Sequence, residues 1–175
     1  MRRVMERVEW LADVFLWLSI AAGIAMMLHV VADVTGRFWF NRPFAGTTEI
    51  VGGWYMVAIA FLPWAWIARH DQHIVAGMFQ QLGSKSVEHW LEIVCKIVTA
   101  AFIGLFVWQT AGEAISQTRA GEVLQAANMY VPVWPSRWVL PASGALMVVY
   151  LALRVVRDIA QGPQEKEEHP PVEFG

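Results

Sequence analysis

Apolar residues gather into four long runs, at about 11–32, 50–68, 91–112 and 138–157, with polar and turn-forming residues confined to the stretches between them. Each run holds about the twenty residues that a helix needs to cross a hydrocarbon layer about 30 Å thick. The pattern predicts an all-α integral membrane protein in which four transmembrane helices make residues 1–160 one domain. Between the second and third runs, Ile74, Val75, Met78, Phe79 and Leu82 recur at helical spacing in a polar context. That spacing predicts an interfacial amphipathic helix over about 72–83. Residues 161–175, with several Glu, three Pro and Lys166, read as a disordered cytoplasmic tail.

The breaks between runs carry their own signals. Asn41-Arg-Pro-Phe-Ala-Gly46 is a turn-rich interruption. Thr47 or Thr48 is placed to cap the second helix, and Glu49 falls in its first turn, where the helix dipole favours a carboxylate. Pro63 lies near the far end of that helix and predicts a kink, because proline removes a backbone donor and crowds the preceding turn. Gly52, Gly53, Ala58 and Ala60 thin the same helix and allow a neighbour to approach closely. The run Val131-Pro-Val-Trp-Pro-Ser-Arg-Trp138 cannot continue a regular helix through both prolines, so the 113–137 connection is expected to fold as a cap.

Charge sets the orientation. Arg2, Arg3, Arg7, Arg69, Lys85, Lys96, Arg154, Arg157 and Lys166 fall on one side of the predicted spans, and Arg37, Arg42, Arg119 and Arg137 on the other. The larger basic group marks the cytoplasmic side, which places both termini in the cytoplasm of a bacterial inner membrane and the 33–49 and 113–137 connections outside. The first run is too long for a signal peptide and lacks a small-residue cleavage site, so it is expected to remain as a span. Hydrophobic residues make up 57% of the chain, and the formal charge of −2 comes with no basic stripe. The partners this implies are membrane lipids rather than nucleic acid. Among the ten Trp, most fall near span ends, where an indole prefers the interface. Trp17, Trp64 and Trp108 lie deeper and are expected to pack between helices.

Ionisable residues inside spans are the first candidates for chemistry. His29, Asp33 and Arg37, spaced i, i+4, i+8, share one face of the first helix. They are open to two readings: a proton relay, or an interfacial ion pair beside a histidine packed on another helix. The second is favoured, because no other predicted span carries an acidic residue at depth. Glu92 and Lys96 form another i, i+4 pair that reads as structural. A b-type haem would need two histidines at matching depth, yet His29 lies toward the outer side while His70, His73 and His89 belong to the opposite interface. Cys95 stands alone inside the third run, without a disulfide or metal partner. No hydrolase motif is present, so the reading is not an enzyme and carries no cofactor.

Several stretches together resemble one family. The segment from Arg37-Phe38 through Glu49, the small and aromatic second span, Arg69, and His73-Ile74 are similar to the small, DctQ-like membrane subunit of tripartite ATP-independent periplasmic (TRAP) transporters. Pro132-Val-Trp134, Leu140-Pro141 and Gly144 match the same family's final portion, so the resemblance spans about residues 10–157. One position departs: where the family often has an acidic residue after its His-Ile-x-Val, this chain has Gly77. The resemblance implies an accessory subunit that binds a large, DctM-like membrane subunit carrying the substrate and sodium sites, with solute delivered by a periplasmic substrate-binding protein. It also implies structural or interface roles for Arg37, Glu49, Arg69 and His73 in organic acid uptake, and Asp33 joins these candidates through its helical spacing from Arg37. The alternative is a membrane-anchor subunit of a redox or other enzyme complex.

Overall fold

The computed structural model describes residues 2–42, 44–70, 85–126 and 129–161. Helix α1 (Arg2–Phe40) is unbroken over 39 residues, about 58 Å at 1.5 Å per residue. It overshoots the apolar run at both ends. Hydropathy marks the part of a helix that lies in hydrocarbon, whereas the backbone ladder continues into the headgroups. Asn41, at φ 48°, ends the helix, and the Arg42 N–H donates to the Gly36 carbonyl at 3.1 Å. Asn is among the few residues that visit this left-handed region readily.

The second span, Thr47–His70, is built in pieces: α2 (Thr47–Ile50), a π turn (Val51–Tyr55), α3 (Met56–Phe61) and α4 (Trp64–His70). The expected threonine cap is replaced. Gly46 occupies the capping position at φ 81°, with no side-chain cap, and the Thr47 hydroxyl donates back to the Phe44 carbonyl at 3.2 Å. A Cβ on Gly46 would lie 3.2 Å from Met129 Sδ and 3.3 Å from Val131 Cγ2, so both backbone angle and space call for glycine. Glu49 does lie in the first turn of α2. Pro63 separates α3 from α4 as proline chemistry requires.

Helix α5 (Lys85–Ala120) runs 36 residues and ends at Gly121, φ 62°. The connection that follows contains an antiparallel hairpin, β1 (Val123–Ala126) with β2 (Met129–Pro132), in which Val123 faces Pro132 and Ala126 faces Met129. A 3₁₀ turn at Ser136–Trp138 leads into α6 (Val139–Gln161). Pro141 falls in the first turn of α6, where its missing N–H has no intrahelical partner to lose. Gln161 closes α6 instead of opening the tail. The rest of the expected tail and the expected amphipathic helix over 72–83 lie outside the described residues.

Among the described residues, four helices are long and apolar enough to cross a membrane. Helix α6 is their centre: it packs on α1, α3, α4 and α5, whereas α5 packs chiefly on α6. Tyr150 and Ser143 of α6 are fully buried. The most apolar stretch of α6 is 28% buried, against 6% for those of the first and third spans, so the outer helices turn most of their surface outward. Gly144 sets the α5–α6 distance, since a Cβ there would lie 2.6 Å from Val107 Cγ2. On α1, Ser19 and Gly23 meet α3 through Ile59.

Trp64 packs in the chain as expected, with ring centroids 5.3 Å from Phe61 and 6.1 Å from Phe106. Trp17 and Trp108 do not: they are 68% and 82% exposed. Depth along a span does not encode which way a side chain faces, so lipid-facing and neighbour-facing indoles look alike in sequence.

Candidate functional site

The charged groups assemble at the two ends of the bundle. At the hairpin end Asp33, only 4% exposed, divides its oxygens between two tasks. Oδ2 accepts from Arg37 Nε at 2.9 Å and lies 2.8 Å from the terminal guanidinium nitrogen. Oδ1 accepts the Phe44 backbone N–H at 2.7 Å. One carboxylate thus ties the last turns of α1 to the chain entering α2, and charge-assisted bonds of this kind are the stronger class. The i, i+4 partner was legible from spacing, but the backbone partner eleven residues on was not. Glu49 is half-buried and forms no ion pair among the described residues.

Beside it, the hairpin is held to α5 and α6. Glu122 accepts from Arg137 Nε at 2.9 Å and from a terminal nitrogen at 2.6 Å, a bidentate pair. The hydrogen bonds from Arg137 outweigh partial burial and hold the Glu122 carboxyl below its ordinary value of 4.5. Val133 donates its N–H to the Glu122 carbonyl at 3.1 Å. Trp54 donates its indole N–H to the Pro132 carbonyl at 3.0 Å, and Trp138 donates to the Thr118 hydroxyl at 3.0 Å. Gly53 admits the hairpin, since a Cβ there would lie 2.6 Å from Val133 Cγ1.

At the other end, where α1 begins and α6 finishes, Arg69 of α4 bonds Asp13 of α1 at 3.3 Å. Lys96, with its side chain 11% exposed, bridges Glu92 at 2.8 Å and Asp158 of α6 at 2.7 Å. The Glu92–Lys96 pair is therefore half of a three-residue link between α5 and α6. Arg154 Nε donates to the Tyr150 hydroxyl at 2.8 Å, and its guanidinium lies 5.4 Å from the Tyr150 ring centre. Asp13 and Asp158 were missed in the sequence because their partners are 56 and 62 residues away. His73 lies outside the described residues.

His29 packs edge-on against Phe44 and Tyr55, at centroid distances of 6.4 and 5.9 Å. Asp33 spends both oxygens on other partners. His29 is thus a packed aromatic ring between α1 and the second span, and no group of three or more His, Cys, Asp or Glu among the described residues is arranged to hold a metal ion.

The order of spans, the Asp33–Arg37 corner and the capped return into α6 can be set against known families. Residues 26–161 match the family described as tripartite ATP-independent periplasmic transporters, DctQ component. The chain belongs to the DctQ family. No curated protein and no solved structure matches it. It is thus a membrane-embedded small permease component of a TRAP transporter, and a transporter component rather than an enzyme. In this DctQ chain the matched region takes in Asp33, Arg37, Glu49, Arg69, His73 and the whole hairpin, but starts after the first half of α1.

Proposed function

We propose that this chain is the scaffold of its transporter: it braces the large, DctM-like membrane subunit while that partner moves an organic acid with sodium. A periplasmic binding protein delivers the solute, and the assembly sits in the bacterial inner membrane with both termini of this chain cytoplasmic. One observation carries the reading. The charged groups lie toward the ends of the bundle and tie its segments to one another, leaving helix packing between them: Asp33, held by Arg37 and bonded to Phe44, and Glu122–Arg137 at the hairpin end, Arg69–Asp13 and the Lys96 bridge at the other. Such groups fix helix geometry, and each of their carboxylates already holds a cation of the chain itself. The outward-facing apolar surfaces of α1 and α5 provide area for a larger partner.

The expected orientation follows from the excess of Lys and Arg on the terminal side. In this role Arg37 and Glu49 belong to the outer surface, and Arg69 and His73 to the cytoplasmic headgroup layer. The test is uptake in proteoliposomes holding the large subunit and the binding protein, with and without this chain. The reading expects transport to fall at least tenfold without it and a stable stoichiometric complex when both membrane chains are purified together. Undiminished uptake by the large subunit alone would remove the scaffold role.

A further inference from the structure

Between the second span, α5, the hairpin and the start of α6 lies a partly open cavity of about 420 Å³, within the range of about 300–1,000 Å³ typical of small-molecule sites. Its shape is a slot. Gly52 and Phe61 both line it, and the nine helical steps between them span about 13 Å. Val57, Phe61, Leu124 and Leu140 make its surface apolar. The two hydroxyls in the wall are already spent: Thr110 donates to the Phe106 carbonyl at 2.8 Å, and Ser136 to the Val133 carbonyl at 2.8 Å.

One end of the slot is ionic. Glu113, Glu122 and Arg137 line it there. Glu122 occupies two of the five guanidinium N–H donors of Arg137, which leaves donors for an anionic oxygen on a side chain that is half exposed. Glu113 is exposed and accepts one bond, from the Gln117 amide at 2.6 Å; it forms no salt bridge among the described residues, although the charge of Arg137 reaches it. Trp54 and Trp138, with indole N–H groups bonded at the hairpin end, mark this level as the membrane interface. The π turn at Val51–Tyr55 lies in the wall and brings Gly52 and Gly53 to it. Such turns recur at functional sites.

We infer that this cavity is a phospholipid site that takes one acyl chain lengthwise and an amine-bearing zwitterionic headgroup across its mouth, as in phosphatidylethanolamine. The ammonium group meets Glu113, and the phosphate meets the free donors of Arg137. A headgroup with net negative charge is disfavoured, because two carboxylates stand against one guanidinium. The bound lipid then acts as a filler between the second span and α5.

Native mass spectrometry of the full chain, delipidated in detergent and titrated with palmitoyl-oleoyl phosphatidylethanolamine or the matching phosphatidylglycerol, reads the site directly. The expected result is one ethanolamine lipid per chain, retained at least fivefold better than the glycerol lipid. Gly52→Leu puts a side chain into open space at the slot and should reduce retention about tenfold. Gly104→Leu, equally uncrowded but away from the slot, should leave it intact and serves as the control for folding. Glu113→Gln should erase the headgroup preference while keeping a lipid bound. Equal retention of the two lipids by the wild type, or undiminished ethanolamine lipid on Gly52→Leu, would overturn the inference.

Discussion

The Ser19 hydroxyl of α1 donates to the Ile59 carbonyl of α3 at 3.3 Å. Ile59 stands four residues before Pro63, which has no N–H to return to that carbonyl. In water the orphaned acceptor would find solvent, but inside a bilayer it needs a protein donor. The proline break in the second span and the serine in the first are one device: the break creates the acceptor by which α1 recognises α3.

Removing the donor should therefore cost stability only while the proline is present. Ser19→Ala is expected to destabilise the bundle by about 0.6 kcal/mol, the average for interhelical hydrogen bonds in membranes, and by no more than about 1.7 kcal/mol. In a Pro63→Ala background, where the N–H of residue 63 can serve Ile59, the same change should cost about half or less. Unfolding of the four-protein cycle in mixed micelles gives the coupling. Equal costs in both backgrounds would show that Ser19 does not answer the proline.

Close approach of α5 and α6 at Gly144 makes a second prediction. Gly144→Ala drives a methyl against Val107, a short branched side chain with little room to yield, and should cost about 1–3 kcal/mol by overpacking. Val107→Ala in the same chain should recover most of that loss, which thermal unfolding of single and double variants would reveal.

The Lys96 bridge is expected to be harder to break. Lys96→Met leaves Glu92, 27% exposed, without its cation and Asp158, 15% exposed, with only the longer contact to Arg157 at 3.7 Å. A loss of about 1–3 kcal/mol follows, while Asp158→Asn should cost less because Lys96 keeps Glu92. Guanidine-free unfolding in a denaturing detergent separates the two variants, and a Lys96→Met protein as stable as wild type would refute the bridge.

Acid should loosen the hairpin through Glu122. Its native pKa is depressed by Arg137, so its contribution is fully present above the ordinary value of 4.5 and is lost as pH falls through the lower native value. The pair is partly exposed, and Glu122→Gln should cost no more than about 1 kcal/mol at neutral pH. Melting temperatures taken from pH 7 down to pH 3 should converge for wild type and Glu122→Gln at the acid end. A gap independent of pH would assign the hairpin's stability elsewhere.

What was legible in the sequence divides along physical lines. Four spans stood out because transfer to hydrocarbon is read from composition alone, and Asp33–Arg37 and Glu92–Lys96 because helical spacing makes i, i+4 neighbours meet. Pro63 announced its break for the same local reason. Ser19–Ile59, Arg69–Asp13 and Lys96–Asp158 depend on which spans are adjacent, and periodicity within one span holds no record of that. The hairpin was hidden because Val123–Ala126 and Met129–Pro132 are four residues each, too short for an alternating pattern. Gly46 displaced the expected threonine cap because the chain must reverse there within reach of Val131. Trp17 and Trp108 were misplaced because a bilayer removes the hydrophobic reason to face inward.

The central claim is that this chain supports transport without carrying cargo. Solid-supported membrane recordings on proteoliposomes test it most directly, with a sodium gradient and solute-loaded binding protein applied to this chain alone, to the large subunit alone and to the two together. The account predicts a solute-dependent current from the pair, a much smaller one from the large subunit alone, and none from this chain. A sodium- or proton-driven current from this chain by itself, abolished in His29→Ala, would contradict it.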